Sequence, residues 1–308
     1  MLAGRLWPNG EVWAGHLGRP SGLGLVNLRK NHNADRGGGG ITAKGRRTVR
    51  QGAFLLEDMA GRPDLSFLTC TMPGSTLEEC RAANESWGEI TRRFFQELRR
   101  ELKRRGAPEW FIGCTEIQPK RLVNTRQPWP HLHLVFVGRT GKPWLISPAK
   151  ATQLWSRVLY AVLGIPFEDS RWATTIAPLK GKKTAGQYLG KYMSKGKEDI
   201  AAIRAALPDF PLPSAWSHCS HDLNRLIRED TATLTPATAA WVIKLLQTKY
   251  PGSKLFAEIC PTPSMRAPND QPLGYVGCLD PPLRARVLTY NEREKKANGS
   301  INLGSNPC

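Results

Sequence analysis

The chain reads as an α+β protein with a central antiparallel sheet of about five strands and helices packed on it. Two observations predict this. Short alternating or apolar runs bounded by turn residues are separated by amphipathic stretches in the order β-α-β-β-α-β-α. Between "EWFIGCTEIQ" (109–118) and the run at 131–137 no amphipathic segment intervenes, so a hairpin joins those strands.

Each element has its own signal. In "LSFLTCTMPG" (65–74), Phe67, Thr69 and Thr71 alternate with Leu68, Cys70 and Met72 until Pro73-Gly74 ends the strand. Ser75 with Glu78 three residues on is a capping-box pattern. Trp87, Ile90, Phe94, Leu98 and Leu102 then recur at helical spacing, and Gly106 and Pro108 close the helix. "SPAKATQLWSRVLYAVLG" is a second helix with Leu154, Val158 and Val162 on one stripe, "RWATTIAPL" a short strand, and "TAGQYLGKYMSKG" a third helix. Residues 1–62, Gly-rich and basic, show no sustained period and are expected to be a poorly ordered arm. Residues 63–200 form the main domain. Residues 201–308 read as a mainly helical region with a tail, after Pro251, that is irregular.

Composition narrows the partner. The 308 residues carry 44 Lys and Arg against 26 Asp and Glu, a formal charge of +18, which points to a polyanion and above all to nucleic acid. No run of about eighteen apolar residues suggests a membrane span, and no secretory signal is recognisable at the start. Seven cysteines without a CxxC pair suit reduced thiols in a cytoplasm.

The chemistry-bearing stretch is "WPHLHLVFVG". In a strand His131 and His133 share one face and lie about 7 Å apart, so a third ligand facing them would complete a metal site. Glu116 and Gln118 share a face of the preceding strand, and either could supply it. Such a set leaves positions open for a phosphate oxygen. A histidine-triad hydrolase would need a third alternating histidine where Val135 stands. In "QYLGKYMSKG", Tyr188, Lys191, Tyr192 and Lys195 fall on one helix face. Gly186 and Gly190 weaken that helix by about 1 kcal/mol each, in exchange for close approach of DNA or of the sheet. "HCSHD" (218–222) lacks a second Cys/His pair and reads as a local surface cluster. Lys120, Arg121, Arg126 and Trp129, with Lys180, Lys182 and Lys183, are the candidate contacts to single-stranded DNA, Trp129 being the expected stacking platform.

Together "FLTCT", "HLHLVF" and "YLGKYMSK" resemble, in order and spacing, the three motifs of the HUH-type rolling-circle replication initiators of phages and plasmids, nearest the two-tyrosine branch. The resemblance covers roughly residues 65–197. It implies an RNA-recognition-like five-stranded sheet and an endonuclease that nicks single-stranded origin DNA with Mg²⁺ or Mn²⁺. On that reading His131, His133 and Glu116, with Gln118 in reserve, hold the ion. Tyr188 attacks to leave a 5′-phosphotyrosine and a free 3′ hydroxyl, Tyr192 serves a second transfer that rejoins strands, and Lys191 and Lys195 assist. The expected setting is the cytoplasm of a bacterial or phage-infected cell, with host helicase and polymerase as further partners. A relaxase or transposase would use the same chemistry, and a non-catalytic single-strand binder is the rival of another class.

Overall fold

The computed structural model describes residues 2–16, 40–141, 143–179, 184–194, 196–259 and 274–301. Ten strands are present among them. In chain order they are β1 (Leu2–Leu6), β2 (Glu11–His16), β3 (Leu65–Thr71), β4 (Phe111–Ile117) and β5 (Pro130–Val137). Then come β6 (Thr174–Pro178), β7 (Ser217–Cys219), β8 (Ala232–Leu234), β9 (Ser253–Ile259) and β10 (Gly274–Leu279). They make two five-stranded sheets, ordered β6-β3-β5-β4-β7 and β8-β1-β2-β10-β9, with every pairing antiparallel. The α+β class holds. The chain divides into two compact units, Asn31–Leu226 around the first sheet, and Met1–Lys30 with Ile227–Cys308 around the second.

In the Asn31–Leu226 unit, alternation assigns the two sheet faces. Leu68, Cys70, Leu132, Leu134 and Phe136 project to one side and join Trp87, Ile90, Phe94, Leu98, Leu154 and Trp155 in a continuous core. Those partners come from the helices Trp87–Arg104 and Pro148–Leu163, whose apolar residues fall at the spacing that builds a buried stripe. Ser147 caps the second through the Lys150 N–H, and Gly164, at φ 71°, ends it in a left-handed turn that favours glycine. The helices Ala43–Ala60 and Ala185–Ser194 lie on the other face, over β4 and β5. Gly113 has no room for a Cβ, because the carbonyl of His133 fills that place, and β4 thereby sits tightly against β5.

Several expectations are corrected. Residues 1–62 are not a loose arm throughout. Residues 2–16 supply two strands of the second sheet, and Thr42 caps the helix Ala43–Ala60, whose Val49, Ala53 and Leu56 are fully buried. The capping box lies one residue later than expected, on Thr76 and Glu79, and Ser86 separates Leu77–Glu85 from Trp87–Arg104. The basic stretch after β4 holds a short helix, Pro119–Thr125. The region beyond residue 200 is helical over much of its length, as expected, but it is not helical alone. It contributes β7 to the first sheet and β8, β9 and β10 to the second, and Pro281–Ile301, expected as irregular tail, is a helix. These pieces are complementary in packing rather than periodic by themselves. The second sheet draws its core, including Leu6, Val12, Val242, Leu246 and Val287, from both ends of the chain. No helix among the described residues is long and apolar enough to cross a membrane.

Candidate metal centre and tyrosine helix

The register brings the site together. Glu116 pairs with His131 across β4 and β5, and Thr71 pairs with His131 across β3 and β5. Thr69 and Cys114 flank His133 in the same way, so these side chains share the face opposite the core. One ligand atom each from Glu116, His131 and His133 lies within 4.8 Å of the others. His133 Nε2 lies 2.9 Å from Glu116 Oε2 and its Nδ1 3.1 Å from Thr69 Oγ1, so the tautomer with Nδ1–H donating to the threonine leaves the Nε2 lone pair beside Glu116 for a cation. His131 Nε2 and Thr71 Oγ1 are 2.8 Å apart. The threonines of "FLTCT" thus orient the imidazoles, as outer partners of metal ligands do.

Burial, reinforced by His133, pushes the His131 pKa down to about 3, so its imidazole stays neutral and able to coordinate at ordinary pH. Two neutral nitrogens and a carboxylate, clustered this closely, fit a divalent cation, and these three residues could hold one. Burial also raises the neighbouring Cys114 thiol, with Glu116 adding to the effect. That cysteine is therefore a neutral floor to the site.

The tyrosine helix is fixed by its own cap and by its packing. Thr184 and Gln187 cap it reciprocally, the Gln187 N–H donating to Thr184 Oγ1 at 3.1 Å and the Thr184 N–H to Gln187 Oε1 at 2.9 Å. The Ala185 N–H donates to Glu57 Oε2 of the helix Ala43–Ala60 at 2.9 Å, which places a negative charge at the helix start where the macrodipole favours it. So held, the helix lays Tyr192 on His133, with ring centroids 3.6 Å apart and planes 22° apart. Phe67 spans the assembly, stacking on His133 and Tyr192 and meeting the Tyr188 ring at 5.7 Å. Lys191 Nζ lies 5.5 Å from the Tyr192 ring centre. Burial raises the Tyr192 phenol pKa, and the Glu116 carboxylate adds to it.

The remaining candidates divide. Gln118 follows β4. Its N–H donates to Trp129 O, and its Oε1 is buried without a hydrogen-bond partner among the described residues. Glu116, not Gln118, is the carboxamide-or-carboxylate position whose oxygen bonds an imidazole. Trp129 is corrected. It is fully buried, with Nε1 donating to Gln127 Oε1, because the prolines around it turn the indole into the core. Arg121 is held within the fold, its guanidinium 4.0 Å over the Trp129 ring and donating to the carbonyls of Met72 and Gly74. Arg126 is exposed at the left-handed end of Pro119–Thr125. Lys120 lies in that helix, and its side chain is outside the described set. Lys180, Lys182, Lys183 and Lys195 also lie outside the described residues. In "HCSHD" the expected surface cluster splits. His221 is exposed, while His218 is buried against Phe95 and bonded to Thr115 Oγ1.

No protein-family model, curated protein or solved structure matches the chain.

Proposed function

We propose that the protein is a replication-initiation endonuclease that nicks single-stranded origin DNA by tyrosine transesterification, the chemistry implied by its resemblance to the HUH-type initiators. The observation that carries this reading is the Tyr192 ring stacked on His133, a member of the Glu116–His131–His133 group. Two aromatics that merely filled a core would rest on apolar neighbours. Tyr192 meets Phe67 but rests most closely on a potential metal ligand, from a helix more than fifty residues away in sequence.

The steps follow from the side chains. Tyr192 Oη attacks phosphorus, the Oη–P bond forms, and the P–O3′ bond breaks. The departing oxygen gains the proton that the phenol gives up, and the DNA 5′ end stays on the tyrosine. A divalent cation held by His131, His133 and Glu116, Mg²⁺ or Mn²⁺, would supply positive charge to the scissile phosphate and the leaving oxygen. The Lys191 ammonium beside the Tyr192 ring favours the phenolate, against the burial that disfavours it. Tyr188, one turn away, is left for the transfer that rejoins strands. This order reverses the one expected from sequence, and the contact that supports it is again the stacking on His133.

The test uses a labelled randomised single-stranded DNA library with Mn²⁺ and the full chain. A covalent adduct that survives denaturation is expected. It should disappear with chelator and with His133→Ala, fall sharply with Tyr192→Phe, and persist with Tyr188→Phe, which instead impairs rejoining. An adduct undiminished in the double tyrosine variant sinks the mechanism. Binding without any adduct in the wild type assigns the chain to the non-catalytic binders.

A further inference from the structure

The tyrosine and Ala43–Ala60 helices cover β4 and β5 but leave part of the same sheet face open. Thr175 and Ala177 of the edge strand β6 are exposed, and Thr69 and Thr71 of β3 are half-buried. This strip begins beside His131 and His133, whose hydroxyl partners Thr71 and Thr69 belong to it. In the turn just before β6 stands Trp172, 82% exposed, the most exposed large apolar side chain among the described residues. The Arg171 guanidinium lies over the indole at 5.5 Å.

The turn carrying Trp172 is tied to the site by backbone pairing. The Thr71 N–H donates to Ala173 O at 2.7 Å, which places residue 173 in the row that continues through Thr71 and His131 to Glu116. From β5 to β6 is two strand spacings, about 10 Å. That separation is within reach of a nucleotide next to one whose phosphate sits at the histidines.

We propose that this strip, with Trp172 and Arg171 in the turn before β6, seats the unpaired bases flanking the scissile phosphate, Trp172 being the stacking platform. The inference rests on the nicking reading and adds to it the path of the substrate strand. An exposed indole without a cover is costly in water and useful to a planar base. The occupant must be polyanionic, because the chain carries +18 and a cation already shields one side of the ring. It must also present an unpaired base, because a duplex keeps its base faces stacked inside. The hydroxyls of Thr175, Thr69 and Thr71 line the route with donors fit for phosphate oxygens. Trp129, the stacking candidate from sequence, cannot take this role in the core.

The experiment measures binding of full-length protein to an oligothymidylate of about twelve nucleotides, a length that one such surface can fill. Chelator is present throughout, so that no cleavage intervenes. A wholly abasic oligomer of the same length and charge is the second probe. Trp172→Ala should weaken oligothymidylate binding about tenfold, the size of one base–aromatic stack, and leave abasic binding unchanged. Trp172→Tyr should restore most of the loss. Because Trp172 is so exposed, thermal melting should be unaltered in both variants. Affinity within twofold of wild type overturns the proposal, as does an equal loss on the abasic oligomer. So does a wild-type dimer, seen by sedimentation, that Trp172→Ala dissociates, since a second copy would then be what covers the indole. Wild-type protein that makes no adduct in the library assay, yet shows Trp172-dependent binding, refutes the nicking reading alone.

Discussion

In β5, Leu132, Leu134 and Phe136 enter a core with Trp87, Phe94 and Trp155, while His131 and His133 stand on the other side with Glu116 and Tyr192. The same backbone therefore supports two environments, chosen by alternation alone. On the apolar side burial is non-directional, and any well-fitting side chain stabilises. On the polar side each buried donor or acceptor must find a partner or cost free energy. Thr69, Thr71 and Glu116 supply those partners. The apolar face carries the stability, and the polar face carries the candidate metal ligands at the expense of some of it.

The sharpest way to break this comparison is to damage one face and read both. Phe136→Ala should lower unfolding free energy by about 3–5 kcal/mol in urea titrations. The molecules that remain folded should keep their Mn²⁺-dependent rise in melting temperature. His133→Ala should do the reverse, removing the Mn²⁺ response with the smaller stability loss. If the two variants behave alike, the faces are not separable.

A second prediction uses one histidine on each face. Burial pushes His218, on the apolar side, and His131, on the polar side, down to about 3. An unfolded imidazole titrates near 6.5. Between these values the unfolded chain binds protons that the folded one refuses, so stability is full above about pH 6.5 and is lost as pH falls towards 3. The loss should amount to a few kcal/mol, read from urea unfolding across that range. His218→Asn should remove one proton's share of the slope. A pH-independent unfolding free energy would contradict both assignments.

The smallest effect concerns the glycines of the tyrosine helix. A Cβ at Gly190 would meet nothing within 4 Å, and one at Gly186 would make ordinary contact with Ala53. Packing therefore does not require Gly190. Gly190→Ala should raise stability by about 0.5–1 kcal/mol. Weaker single-stranded DNA binding in that variant would identify close approach of the strand as the use of the bare backbone.

Much of the site was legible because its signals are local. His131 and His133 two apart in a strand, and Tyr188 and Tyr192 four apart in a helix, declare their shared faces through the period of each element. The Phe67–Thr69–Thr71 alternation was equally visible, but its role as the histidines' hydroxyl partners waited on the pairing of β3 with β5. The helix Ala43–Ala60 was hidden by glycines and arginines around a short apolar stripe, although Thr42 and Gly61 do bracket it. The two tryptophans show the limit most plainly. Trp129 and Trp172 both sit in polar, turn-forming surroundings, yet one is buried and the other open to solvent.

The amino-acid order alone determined β3 to β6, the helices Trp87–Arg104, Pro148–Leu163 and Ala185–Ser194, the faces on which the imidazoles and phenols stand, and the excess of positive charge. Those properties depend on neighbours within a turn or two of the chain. Tertiary structure decided the rest: the register that sets Glu116 beside His131, the seat of Tyr192 on His133, and the choice of Trp172 over Trp129 as the exposed ring. Each joins or hides residues far apart in sequence, and such contacts form only where packing of the whole unit repays the entropy of bringing them together.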